Sequence, residues 1–125
     1  MKRWRPGLLA LTLLLASGSE VALVLEAQAS LQAEGLAARV VSAPSLELFA
    51  AQPQEYRDHV LPPRLRLRLA VEAAHPMPWA PWVGDAGEVL GLDHFGASAP
   101  AERLYQEFGL TAGDVARRAR RLLGR

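Results

Sequence analysis

Residues 8 to 16, LLALTLLLA, followed by Ser17-Gly18-Ser19-Glu20, decide how this chain is read. A short, unbroken apolar run is the mark of a strand covered on both faces of a parallel sheet, where neither face can be polar. Ser17-x-x-Glu20 then fits a helix capping box. In that motif the serine hydroxyl and the glutamate carboxylate satisfy amides that the first helical turn leaves without partners. A strand, a tight glycine turn and a capped helix make half of a βαβ unit. A second reading stays open: Lys2, Arg3 and Arg5 before the run, and Ala16-Ser17-Gly18 at its end, have the grammar of an export signal. The run is too short for a membrane span, which takes about 20 apolar residues. We favour the strand because a capped helix comes directly after it.

From Glu20 to about Glu34 the pattern is helical, with Val21, Val24, Leu25 and Leu31 on one face and Glu26, Ser30 and Glu34 opposite. Gly35 stops that helix. Leu36 to Val41 reads as a second strand. Pro44 and Pro53 introduce brief helices near residues 46–51 and 55–60, and Leu61-Pro62-Pro63 forbids continuation. Leu65 to Val71 reads as a third strand, with Arg64, Arg66 and Arg68 alternating toward one face. Ala74 to Pro81 carries three prolines and reads as loop, and Val89 to Leu92 as a fourth strand. Gly84-Asp85-Ala86-Gly87 is the turn before it. Helices are expected from about Pro100 to Phe108 and from Thr111 to Leu123. In the last, Thr111 and Asp114 resemble a capping box, and Val115, Ala119 and Leu122 form a packing stripe. Arg117, Arg118, Arg120 and Arg121 suit the negative end of the helix dipole and read as a solvated face rather than a nucleic-acid site.

Strands alternating with helices imply an α/β fold: a mostly parallel sheet in a three-layer α/β/α arrangement, with strand order 2-1-3-4. Ligands of such sheets bind beyond the carboxyl ends of the strands, here where strands 1 and 3 meet. The 125 residues suffice for one domain, and a net charge of +1 gives no global field toward nucleic acid or acidic lipid. Without cysteine there is no disulfide framework, thiolate metal site or thiol nucleophile. Asparagine is also absent, and Lys2 is the single lysine among fourteen basic residues, a pattern best explained by GC-biased codon usage.

Chemistry-bearing motifs are sparse. His59, His75 and His94 lack the spacing of a helical metal pair, and there is no phosphate-binding loop, dinucleotide fingerprint or nucleophile elbow. The candidate ligand crevice gathers Ser17, Gly18, Ser19, His75, His94, Gly96 and Ser98. Two helix starts, after Ser17-Gly18-Ser19 and within Phe95-Gly96-Ala97-Ser98-Ala99-Pro100, would offer amides to a phosphate or carboxylate there. Capping and close packing account for the same residues without a ligand. Trp79, Trp82 and Phe95 are candidates for a partner-facing apolar surface, with core packing the alternative.

Five phrases stand in order along the chain: Gly18-Ser-Glu-Val21, Pro44-Ser-Leu-Glu-Leu-Phe-Ala-Ala-Gln52, Val60-Leu-Pro-Pro63, Val71-Glu-Ala73 and Phe95-Gly-Ala-Ser-Ala-Pro-Ala-Glu102. With them the chain, from about Ala16 to its end, closely resembles the carboxyl-terminal domain of bacterial transketolases. The resemblance implies a sheet with an extra antiparallel edge strand before Leu8. Residues 1–6 do not look like that strand, so residues 1–7 read as a non-matching extension and 8–125 as the domain. It also implies an enzyme family that moves two-carbon ketol units between sugar phosphates in the pentose phosphate pathway, using thiamine diphosphate and a divalent metal (Mg or Ca). The cofactor, metal and substrate residues of that family lie in two preceding domains. No catalytic, cofactor-binding or metal residue carries over, and no cofactor is expected on this chain.

The family's third domain is non-catalytic, packs on the other two and supports the dimer, and in related ketoacid dehydrogenases its equivalent helps dock a partner protein. Ser17 stands where the family has Thr. His75-Pro76-Met77-Pro78 stands where it has a Gly-rich turn, so no role is inherited by that loop. The expectation is a stand-alone or truncated transketolase carboxyl-terminal domain, cytoplasmic, with a structural or assembly role. Its partners would be the remaining transketolase domains or a second copy, and neither nucleic acid nor membrane. The alternatives are a module binding a small anionic metabolite or a protein, and an exported protein if residues 1–18 are a signal.

Overall fold

The computed structural model describes residues 11–18, 20–72, 79–91 and 111–124. Its elements run β1 (Thr12–Ala16), α1 (Glu20–Ala33), β2 (Ala38–Ser42), α2 (Leu46–Ala50), α3 (Gln54–Val60), β3 (Arg68–Glu72), α4 (Ala80–Val83), β4 (Glu88–Gly91) and α5 (Ala112–Leu122). The described strands form one parallel sheet in the order β2-β1-β3-β4. β1 sits inside it, Leu14 opposite Val40 on one side and Leu69 on the other. The apolar run is therefore the sheet's interior strand over residues 12–16, all buried. Residues 8–10, and the segment ahead of Leu8 that would carry the extra edge strand, lie outside the described residues.

Successive side chains of a strand point to opposite faces, and β1 feeds two cores in this way. Leu14 and Ala16 meet Val24, Ala27 and Leu31 of α1 and Val115, Ala116 and Ala119 of α5. Leu13 and Leu15 meet Leu61, Leu65, Trp79 and Val83 on the face carrying α2, α3 and α4. Each fully buried leucine contributes about 1.5–3 kcal/mol of transfer free energy, which is why this run specifies the fold.

The helical face of α1 differs from the expected one. Glu20, Val24, Ala27 and Leu31 are buried, whereas Leu25 is 49% exposed. The buried positions follow a stripe along the helix, and Ala27 belongs to it because a small side chain lets α1 lie close to the sheet and α5. Gly35 ends α1 at φ +79°, a backbone that only glycine adopts without strain. Ser17 also has a partner outside its own helix. Its carbonyl accepts from the Glu20 amide (3.3 Å), while its Oγ turns to Glu72. For α2, Ser45 is the cap and accepts from the Leu48 amide at 3.2 Å.

The arginine row ahead of β3 does not form one stripe. The strand begins only at Arg68, leaving Arg64 exposed and Arg66 paired with Asp85 at 2.6 Å on the surface. Arg68 turns inward. Its guanidinium donates to the carbonyls of Leu65 (2.8 Å), Trp82 (2.8 Å), Pro62 (2.9 Å) and Leu61 (3.3 Å). One cation thus closes the end of α3, the Pro62-Pro63 turn and the end of α4, and its partial burial draws its pKa below the ordinary guanidinium value. Residues 80 and 81, expected to end a proline loop, instead open α4, with Pro81 in the first turn, where its missing amide hydrogen is not needed. The turn after α4 has no room for a side chain at Gly87: a Cβ would lie 2.3 Å from the Val83 carbonyl and 2.8 Å from that of Arg68.

α5 is capped by Thr111, which accepts from the Asp114 amide. Its arginines are engaged rather than merely solvated. Arg118 (3.1 Å) and Arg121 (3.2 Å) both meet Glu88 Oε1 at the start of β4, Arg120 meets Glu34 (3.0 Å), and Arg117 pairs with Asp114. The helix is pinned to both the sheet edge and the end of α1. The helix expected over residues 100–108 lies outside the described residues.

Candidate functional site

The carboxyl edge of the sheet is where β1 and β3 finish side by side, Ala16 opposite Val71. One residue further, Ser17 Oγ donates to Glu72 Oε2 at 2.8 Å, and Trp79 Nε1 donates to the same oxygen at 3.3 Å. Trp79 is a core residue, not a surface one, and its indole joins the Ser17 hydroxyl in aligning the Glu72 carboxylate. Buried Glu20 opens α1 close by. Of the seven residues expected to line this crevice, Ser17 and Gly18 are in place there. Ser19, His75, His94, Gly96 and Ser98 lie outside the described residues, as does Phe95.

Glu72 and Trp79 are the participants that sequence reasoning missed. The signal was a glutamate following three buried apolar residues, Leu69 to Val71, since a partly buried strand end holds a charge best when donors meet it. Chemically, the edge offers a carboxylate holding a hydroxyl and an indole. Its described residues do not include the histidine or lysine base that would activate a serine nucleophile. Among the described residues no three His, Asp or Glu side chains are grouped to hold a metal, and His59 lies exposed on α3. No described helix is long and apolar enough to cross a membrane.

A second feature adjoins the first. A cavity of about 360 Å³ opens between the ends of β1 and β2 and helices α2 to α4. Phe49 is its aromatic centre, packing edge-on against Trp82 at 5.1 Å and Tyr56 at 6.3 Å between centroids. Trp79 forms part of the wall, and none of the described lining residues is charged. A displaced carboxylate equilibrium is found elsewhere: Asp85, in the turn before β4, is held below its ordinary pKa by the hydrogen bond and charge of Arg66.

Comparison with known proteins gives a consistent result. The family profile of the transketolase-like TK C-terminal domain matches residues 9–111. A transketolase of Geobacillus stearothermophilus is 50% identical over 113 residues, covering 90% of this chain and 17% of the relative. One from Mycobacterium tuberculosis (strain ATCC 25618 / H37Rv) is 50% identical over 111 residues, covering 89% and 16%. Among solved structures, transketolase from Leishmania mexicana superposes with a TM-score of 0.81 at 42% identity, over 90% of this chain and 16% of that one. A structure titled split gene transketolase, inactive β4 tetramer, shares the fold with a TM-score of 0.63 at 21% identity, over 90% of this chain and 39% of its own. The chain thus spans about one sixth of the length of the curated relatives it matches.

Proposed function

Because the chain belongs to the transketolase-like C-terminal domain family, we propose that it serves as the non-catalytic carboxyl-terminal domain of a transketolase, an enzyme transferring two-carbon ketol units between sugar phosphates. Its work is structural: it completes and steadies the assembly in which other domains perform the chemistry. The observation that carries this reading is 50% identity to a transketolase sustained over 113 residues, on a parallel sheet of order β2-β1-β3-β4.

The described residues do not fit thiamine diphosphate or its metal. Among the described residues no carboxylates or imidazoles are grouped for a metal, the described cavity wall carries no cation for a diphosphate, and Glu72 at the carboxyl edge would repel one. On this reading cofactor and metal belong to the rest of the enzyme, and no step of the reaction is placed on this chain. The same carboxylate weighs against the alternative of an anionic-metabolite module, since a phosphate would have to separate Ser17 from Glu72. The reading places the chain in the cytoplasm, because export cleavage after Gly18 would remove β1, the interior strand of the sheet.

The test is complementation. The purified chain, titrated into a transketolase from which the carboxyl-terminal domain has been deleted, is expected to form a stable complex and restore ketol transfer. No complex and no restored activity refutes the proposal, as does turnover of sugar phosphates by the chain alone with thiamine diphosphate and Mg²⁺.

A further inference from the structure

α2 and α3 are described helices that bury no residue. Leu46, Phe49 and Val60 rest partly covered on the core beneath, but Leu48 is 68% and Tyr56 50% exposed. With Leu25 they are the large hydrophobic side chains exposed among the described residues, and two of the three border one cavity. Helices of five and seven residues are too short to be stable alone. They hold their shape through contacts, and among the described residues those contacts come from the core beneath. The opposite layer is finished: α1 and α5 bury continuous stripes and close over them with the Glu34–Arg120 and Glu88–Arg118 pairs.

Two observations identify what completes the open layer. Each transketolase relative continues for more than four fifths of its length beyond the region this chain matches, for example 83% where 17% is covered (100 − 17). The surroundings of the exposed pair are acidic: Glu47 is exposed on α2, and Tyr56 shares a shallow depression with Glu55, Asp58 and His59. Arg57 beside them donates to the Gln52 carbonyl and Gln54 Oε1, and Asp58 accepts from Gln54 Nε2 at 2.6 Å, so three carboxylates surround one cation. We propose that the α2–α3 face, centred on Leu48 and Tyr56, is where the rest of a transketolase polypeptide seats on this domain, through an apolar or aromatic side chain flanked by lysine or arginine. Such an anchor fills the cavity beside Phe49 and Trp82, and its cationic neighbours meet Glu47, Glu55 and Asp58. This inference rests on the carboxyl-terminal-domain reading above.

The experiment measures binding of the full 125-residue chain to the domain-deleted transketolase by calorimetry, with Leu48→Glu, Tyr56→Glu and, as the control on the opposite layer, Leu25→Glu. The two groove variants are expected to weaken binding at least about tenfold, as loss of an interface anchor does, and the control to leave it within about twofold. Circular dichroism checks that each variant is folded. Hydrogen exchange on the wild-type complex needs no variant: amides of residues 46–60 are expected to slow on binding, and those of α1 to stay unchanged. If the wild-type chain does not bind, the functional reading falls and this inference with it. If it binds but the groove variants bind equally well, or exchange over residues 46–60 is unaltered, the inference alone is overturned. It is also overturned if sedimentation shows the groove variants abolishing self-association of the isolated chain, which makes a second copy the occupant.

Discussion

Replacing Arg68 by methionine should destabilise the domain by about 2–4 kcal/mol. The figure comes from four carbonyls. Leu61, Pro62, Leu65 and Trp82 all accept from this one guanidinium at 2.8–3.3 Å, and a hydrogen bond from a charged donor is worth about 1.5–3 kcal/mol. The simple sum overstates the loss, because Arg68 is only partly buried and water reaches some of the released carbonyls. Methionine keeps the packing of the aliphatic stem, so the deficit reports the donors. Arg68→Lys keeps the charge but gathers its donors on one nitrogen, which cannot fork between α3, the proline turn and α4. It should recover less than half of the loss. Urea unfolding followed by circular dichroism reads both, as a lower midpoint at unchanged slope. At roughly 3–5 °C per kcal/mol for a domain of this size, the methionine variant should also melt about 10 °C lower. A methionine variant within about 0.5 kcal/mol of wild type, or a lysine variant equal to arginine, refutes the assignment of Arg68 as the tie between these segments.

Gly87→Ala should destabilise by about 2 kcal/mol or more, because its Cβ would meet backbone at 2.3 and 2.8 Å rather than a side chain able to swing away; an unchanged melting temperature would show that the turn is slack. Glu88→Gln removes the common partner of Arg118 and Arg121 and should lose about 0.5–1 kcal/mol at low ionic strength. The loss should shrink in 1 M salt, and a salt-independent loss argues against an electrostatic dock for α5. Asp85 has a folded-state pKa below its unfolded one, so its pairing with Arg66 stabilises above the unfolded value and the benefit disappears as pH falls through the folded one. Urea midpoints of wild type and Asp85→Asn should therefore differ near neutral pH and converge in acid, and a gap that persists at pH 2 contradicts the pairing.

How far the sequence foretells this molecule depends on whether a residue's role is local or borrowed. Leu13, Leu14 and Leu15 announce an interior strand because a position buried on both faces admits nothing else. The order of the strands follows from the handedness of their connections. Leu25 leaves the expected buried face and Ala27 joins it because hydrophobicity alone cannot report that a small side chain is needed where α1 approaches the sheet and α5. Pro81 resembles a loop signal, although proline is equally at home in a first helical turn. Ser17 looks like a cap to its own helix, but its hydroxyl has a partner 55 residues away, and nothing near it in the chain names Glu72. Arg68 is hidden in the same way: among alternating arginines, the one that turns inward is identified only by carbonyls from other segments. At the carboxyl edge, Ser17 and Gly18 can be placed from the strand end they extend, whereas Trp79 joins through the tertiary fold.

The position of β1 between its neighbours also bears on how the chain comes off the ribosome. Of the described strands the one that belongs in the middle is made first, its partner β2 begins 26 residues later (12 to 38), and β3 arrives only after the separation of 55 residues that divides Ser17 from Glu72. At about 5–20 residues per second of synthesis, that second flank is missing for roughly 3 to 11 seconds. During that interval three consecutive leucines have at first no partner strand and then β2 alone. Nascent-chain quality control therefore meets this domain at its stickiest moment, and a synonymous change that slows translation across residues 43–67 would lengthen the exposure without altering a single atom of the finished fold.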